Sequence, residues 1–93
     1  MAQNLPTVHV RITGRVQGVG FRYAVQAKAE VLGLSGWVAN RPDGSVEGEG
    51  QGPEKTLAQW VDFVHQGPPL ARVEQVEARW SVGPAFPAGF HIR

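Results

Sequence analysis

Val8-His9-Val10-Arg11-Ile12-Thr13-Gly14-Arg15-Val16-Gln17-Gly18-Val19-Gly20-Phe21-Arg22 changes its periodicity twice, and those changes decide the fold. Val8, Val10 and Ile12 alternate with His9, Arg11 and Thr13, the period of a strand with one buried face. The alternation stops at Gly14, where a loop with glycines at 14, 18 and 20 begins. From Phe21 the period becomes helical. Ala24, Ala27, Val31 and Leu34 recur at helical spacing, and Gly33 is placed to end the helix.

Further along, Ser35 to Asn40 reads as a second strand and Arg41-Pro42-Asp43-Gly44 as a turn. A third strand follows from about Ser45 to Gln51, with Val46, Gly48 and Gly50 facing opposite to Glu47, Glu49 and Gln51. Glycines on an inner face weaken a strand unless a helix packs unusually close to them. Pro53 and Glu54 open a second helix, Leu57, Trp60, Val61 and Val64 form its apolar stripe, and Gly67-Pro68-Pro69 ends it. Val76, Ala78, Trp80 and Val82 alternate as a fourth strand, with Ala71 and Val73 one residue out of phase. That slip predicts a bulge near Glu74. Phe90 and Ile92 suffice for a short edge strand.

The order β-α-β-β-α-β predicts an α+β, ferredoxin-like sandwich, an antiparallel sheet with two helices on one face. Such a fold hosts many functions and decides none. The 93 residues suffice for one domain, 1–93, with a core of about 7–92. No apolar run is long enough to span a membrane, and Met1 to Leu5 lacks the basic and apolar regions of a leader. With no cysteine, disulfides, thiolate metal sites and cysteine nucleophiles drop out, and a cytoplasmic location is the simplest expectation.

A net charge of +1 gives no general argument for nucleic acid, but its distribution is uneven. Arg11, Arg15, Arg22 and Lys28 precede the first acid, Glu30. An acid-free segment suits an anion, because no carboxylate competes for the guanidinium groups. Glycines in a loop let successive N–H groups converge on one point, and the following helix adds unsatisfied N–H groups and its positive dipole end. Arg22 adds a planar fork matched to phosphate oxygens. The residues therefore outline an oxyanion site from Arg15 to Gly20, closed by Arg22; a tight turn with one exposed arginine is the bland alternative. A P-loop would need Lys and Ser or Thr after Gly20, and a dinucleotide fingerprint would need Gly at 23. Phe21, Arg22 and Tyr23 stand there instead.

Ile12-Thr13-Gly14-Arg15-Val16-Gln17-Gly18-Val19-Gly20-Phe21-Arg22 resembles the first signature of the acylphosphatase family at every specified position. Gly36-Trp37-Val38-Ala39-Asn40, continuing through Gly44, Val46 and Gly52, resembles the second. The resemblance implies hydrolysis of acyl phosphates to carboxylate and inorganic phosphate, without metal, cofactor or phosphoenzyme. It assigns phosphate binding to the loop of Arg15, Val16, Gln17, Gly18, Val19 and Gly20 and to Arg22. It assigns the attacking water to Asn40. The implied partners are a small-molecule acyl phosphate and its phosphate product, with no nucleic acid or membrane, and the expected state is a monomer.

Other residues carry weaker signals. His9, His65 and His91 are scattered without metal-ligand spacing, and Glu47 and Glu49 read as solvated charge on an edge or outer face. Trp37, Trp60 and Trp80 are expected to pack, with Trp37 placed to line the site mouth. An RNA-binding sheet would need exposed aromatics on its central strands, and the first and third strands have none. A non-catalytic phosphate sensor would keep the anion site. An acylphosphatase-like domain of a larger maturation protein would too, although the chain's self-contained length favours the free enzyme.

Overall fold

Seven elements follow one another in a computed structural model that describes residues 4–93. The expectation that Met1 to Leu5 is no leader falls mostly outside those residues. The elements are β1 (Asn4–Arg15), α1 (Phe21–Val31), β2 (Ser35–Asn40), β3 (Val46–Gln51), α2 (Glu54–Gln66), β4 (Arg72–Pro84) and β5 (Phe90–Ile92). They form one sheet in the order β4-β1-β3-β2-β5, with α1 and α2 packed against one face. This is the ferredoxin-like sandwich that the sequence predicts.

The first four strands pair antiparallel, but β5 runs parallel to β2, so the sheet is mixed. The reason is directional. β4 runs with β3, and the chain reverses between β4 and β5, so a strand laid on the outer edge of β2 must run with β2.

Val8, Val10 and Ile12 of β1 are at most 1% exposed and face Phe21, Val25 and Ala29 of α1 and Leu57, Trp60 and Val64 of α2. Burying each such large apolar side chain contributes about 1.5–3 kcal/mol. One of the two inner-face glycines of β3, Gly50, has the purpose the sequence allowed for. A Cβ on Gly50 would lie 3.0 Å from Trp60 Cζ3 and 3.2 Å from Leu57 Cδ2, so the bare backbone lets α2 come close. The slip in β4 is also where expected. Thr13 faces Gln75 and Gly14 faces Val73, which leaves Glu74 as the extra residue of a bulge.

Two of the three tryptophans depart from expectation. Trp80 is 47% exposed, because β4 is an edge strand and the ring stands at the margin of the helix layer. Trp37 is buried, but it shares a row with Glu49 and His9 on the face that carries no helix. Its Nε1 donates to Glu49 Oε1 at 3.0 Å, and the Arg93 guanidinium stands 4.5 Å from its ring centroid. Trp37 therefore does not line the mouth of the glycine-loop site.

Glu47 and Glu49 lie on that same outer face, on a central strand. Glu47 is tied to His9 Nε2 at 2.6 Å and to Arg41, and these bonds, His9 foremost, hold its carboxyl below the usual range.

Candidate active site

The loop between β1 and α1 is pegged from below and open above. Val16 and Val19 turn into the core, at 0% and 9% exposure, while Gly18 and Gly20 lie outside with φ of +74° and +79°. No neighbour would touch a Cβ at either glycine, so the left-handed backbone, not crowding, makes glycine necessary there. Gly20 is also the N-cap of α1, which has no side-chain cap and no acid in its first turn. The first helical bond runs from Ala24 N to Gly20 O at 3.1 Å. The N–H groups of Phe21, Arg22 and Tyr23 thus have no helix carbonyl to donate to, and the positive end of the dipole is left uncompensated.

A pocket of about 260 Å³ opens at this point, lined by Val16, Gly18, Gly20, Phe21, Arg22, Tyr23 and Asn40. Sheet register brings Asn40 here. It ends β2 opposite Val46, which in turn neighbours Ile12, in a row on the helix-covered face. Its Oδ1 is buried without a hydrogen-bond partner among the described residues. A buried polar atom normally has one, so the carboxamide has binding capacity to spare at the pocket wall. No carboxylate lines this pocket.

A slightly larger hollow of about 330 Å³ lies elsewhere, along Pro6, Glu54, Trp80, Ser81 and Val82. It offers an anion one carboxylate and no cation, so the smaller pocket is the better anion site.

The residues singled out in the sequence divide by position. Arg22, Asn40, Val16, Gly18 and Gly20 meet in the pocket wall. Arg15 closes β1 opposite Arg72, exposed and outside that wall, and Val19 serves as a core peg. Gln17 is not part of the pocket wall. Its Nε2 donates to Arg41 O at 2.7 Å and Ser45 O at 2.9 Å, which ties the loop to the turn that follows Asn40. That turn is itself braced by Asp43, which accepts from the Ser45 hydroxyl and N–H and pairs with Arg11 at 2.7 Å. These bonds, Ser45 foremost, pull the Asp43 carboxyl well below the usual carboxylate range. Phe21 and Tyr23 are wall residues that the motif reading passed over. Their adjacency to Arg22 in the first helical turn was the available signal.

The acylphosphatase family model matches residues 8–92, nearly the whole described chain. The chain belongs to the acylphosphatase family. It is 51% identical over 72 residues to an acylphosphatase of Thermococcus kodakarensis, covering 77% of this chain and 79% of that one. Against an acylphosphatase of Thermus thermophilus the identity is 46% over 88 residues, covering 95% and 99%. The crystal structure of an acylphosphatase from Bacillus subtilis superposes with a TM-score of 0.91 at 40% identity, covering 95% and 98%. The fold also matches full-length HypF in its phosphate- and nucleotide-bound form, with a TM-score of 0.82 at 27% identity. That match covers all of this chain but 12% of HypF. Full-length similarity to acylphosphatases of the same size supports hydrolysis of acyl phosphates as the activity.

Proposed function

We propose that the pocket between the glycine loop and Asn40 binds the phosphoryl group of an acyl phosphate and aims water at its phosphorus. The observation that supports this is the meeting, in one acid-free pocket, of an uncapped helix N-terminus, Arg22 and an unpartnered buried carboxamide oxygen.

In this reading the backbone of 15–20 and the Arg22 guanidinium hold the nonbridging oxygens and take up the charge that grows on them. Asn40 cannot act as a base at neutral pH, since its amide takes no proton there. It orients the water instead. The water oxygen bonds to phosphorus, the bond from phosphorus to the acyl oxygen breaks, and the carboxylate leaves with that electron pair. The water's proton passes to a phosphoryl oxygen of the substrate. A carboxylate is a good leaving group, so positioning and charge neutralisation suffice. None of these roles calls for a metal or cofactor, and no group of His, Asp or Glu with metal-binding geometry occurs among the described residues. The reading extends to a cytoplasmic enzyme acting on a small molecule, not on nucleic acid or a membrane. Each chain has a whole site, so the monomer is the active unit.

Inorganic phosphate shares the group the loop is proposed to recognise, and it should therefore inhibit competitively. Steady-state rates on a small acyl phosphate, with and without a strong chelator, check this. Phosphate that lowers the maximal rate while leaving KM unchanged would place the substrate elsewhere. Loss of activity to the chelator, restored by a divalent ion, would overturn the metal-free mechanism. Phosphate binding without turnover would leave a sensor.

Gln17 provides a separate test of how the two halves of the site are held together. Gln17→Ala removes two hydrogen bonds, a loss of about 1–3 kcal/mol of stability. It should also lower kcat/KM about tenfold, because loop and Asn40 lose their shared brace. Gln17→Glu should be worse, since a carboxylate would face two carbonyl oxygens. Unchanged kcat/KM in both variants would remove Gln17 from the positioning of the site.

A further inference from the structure

Ser45 O joins the two halves of the candidate site. It accepts from Arg41 N at 2.8 Å, which closes the turn directly after Asn40, and from Gln17 Nε2 at 2.9 Å, which ties down the glycine loop. Ser45 itself is 1% exposed, so its polar atoms need partners within the protein. Asp43 Oδ1 supplies one, accepting from Ser45 N at 2.9 Å and from Ser45 Oγ at 2.6 Å. The other carboxylate oxygen, Asp43 Oδ2, accepts from Arg11 Nη2 at 2.7 Å.

Stability does not explain the pair of Arg11 and Asp43. Their side chains are 40% and 54% exposed, and ion pairs so open to solvent contribute little. What the pair supplies is orientation. Arg11 belongs to β1, an interior strand, and Glu47 and Glu77 face it from β3 and β4, so its guanidinium is held among acids on the helix-free face. Bound to that guanidinium, the Asp43 carboxylate keeps its other oxygen on Ser45. A chain of contacts therefore runs from the helix-free face through Asp43 to Ser45, and from there to Asn40 on one side and the glycine loop on the other.

We propose that Asp43 is a positioning residue for the hydrolysis, oriented by Arg11 from the face of the sheet opposite the helices. Asp43 touches no substrate, and its role rests on the reading that Asn40 orients the water while the loop holds the phosphate. Without the carboxylate, the Ser45 hydroxyl and N–H lose their acceptor inside the fold, and Ser45 O moves with them. Asn40 and the glycine loop then shift relative to one another. A displacement of about 1 Å between reacting groups can slow a reaction about a hundredfold, so even a small shift is felt in kcat. Phosphate binding changes less, because Arg22 and the α1 N-terminus hold the anion without help from the turn.

Steady-state turnover of a small acyl phosphate, with inorganic phosphate as inhibitor and thermal unfolding alongside, tests the proposal. Asp43→Ala should lower kcat about tenfold and change the phosphate inhibition constant less than about twofold. Asp43→Asn keeps an oxygen for Ser45 and should recover most of the rate. Combined with Gln17→Ala, Asp43→Ala should lower kcat/KM by less than about a further twofold, because both act through Ser45 O, whereas independent effects would multiply. Arg11→Met leaves Ser45 bonded and carries the test should Asp43→Ala not fold. Its kcat should be about threefold lower at an unchanged unfolding midpoint. Unchanged kcat in Asp43→Ala or Arg11→Met, an Asp43→Asn as slow as Asp43→Ala, a phosphate inhibition constant that rises in step with the loss of rate, or losses that multiply with Gln17→Ala would each overturn the role of Asp43. An Asn40→Ala enzyme of full activity would instead overturn the reading beneath it, whatever Asp43 does.

Discussion

Arg22→Ala should lose phosphate affinity and rate together, whereas Asn40→Ala should lose rate alone. Arg22 stands at the second position of α1 in the pocket wall, and the proposed role has its fork hold the phosphoryl group before and during reaction. Its loss should therefore weaken inorganic phosphate as well as slow turnover. Arg22→Lys should recover little, because a point charge cannot reproduce a bidentate fork. Asn40 is different. Its Oδ1 has no partner within the described chain, so truncation breaks no hydrogen bond at that atom and should leave the fold almost intact. Its rate should still fall by about two to three orders of magnitude, the usual effect of removing one well-aimed polar group. Asn40→Asp should be no better, since a carboxylate would repel the anionic substrate. Calorimetry with phosphate beside turnover for both alanine variants decides the matter. Phosphate binding lost in Asn40→Ala but kept in Arg22→Ala would reverse the assignment.

The parts of this site that are contiguous in sequence were readable there. A strand that ends in glycines and leads into a helix puts an uncapped N-terminus beside the loop, and Arg22 follows within one turn. The two-residue period likewise assigned Val8, Val10 and Ile12 to the core, and the phase slip located the bulge at Glu74. What the sequence withheld depends on contacts between distant segments. The resemblance named Asn40, but only the row Ile12, Val46, Asn40 places it against the loop. The motif gives Gln17 as loop backbone, while its side chain braces the turn after β2, a contact no local pattern encodes. Counting sequence neighbours puts Trp37 at the site mouth, and the strand geometry does not. Three residues along a strand is an odd step, which turns it away from Asn40. Alternation groups Trp80 with Val76 on the helix-covered face, but it does not reveal strand order, and at an edge the helix layer runs out.

The tryptophans also yield the largest expected change in stability. Trp60 is fully buried at the junction of four elements. It stands on α2, its Nε1 donates to Val25 O of α1 at 3.3 Å, and its ring meets Phe90 of β5 edge-on at 5.7 Å. Its six-membered ring lies over Gly50 of β3, where the sheet has no side chain. Trp60→Ala should therefore lower stability by about 3–5 kcal/mol, since no neighbour can fill the space. A domain of this size has about 5–15 kcal/mol in total, so the variant stands near the limit of folding. Trp60→Phe keeps much of the volume but loses the bond to Val25, and should lie between the two. Trp80→Ala should cost under about 1 kcal/mol, as expected for a half-exposed edge residue away from the core. Urea unfolding followed by circular dichroism orders the three. Equal losses for Trp60→Phe and Trp80→Ala would mean that the junction under Gly50 is not the anchor of the helix layer.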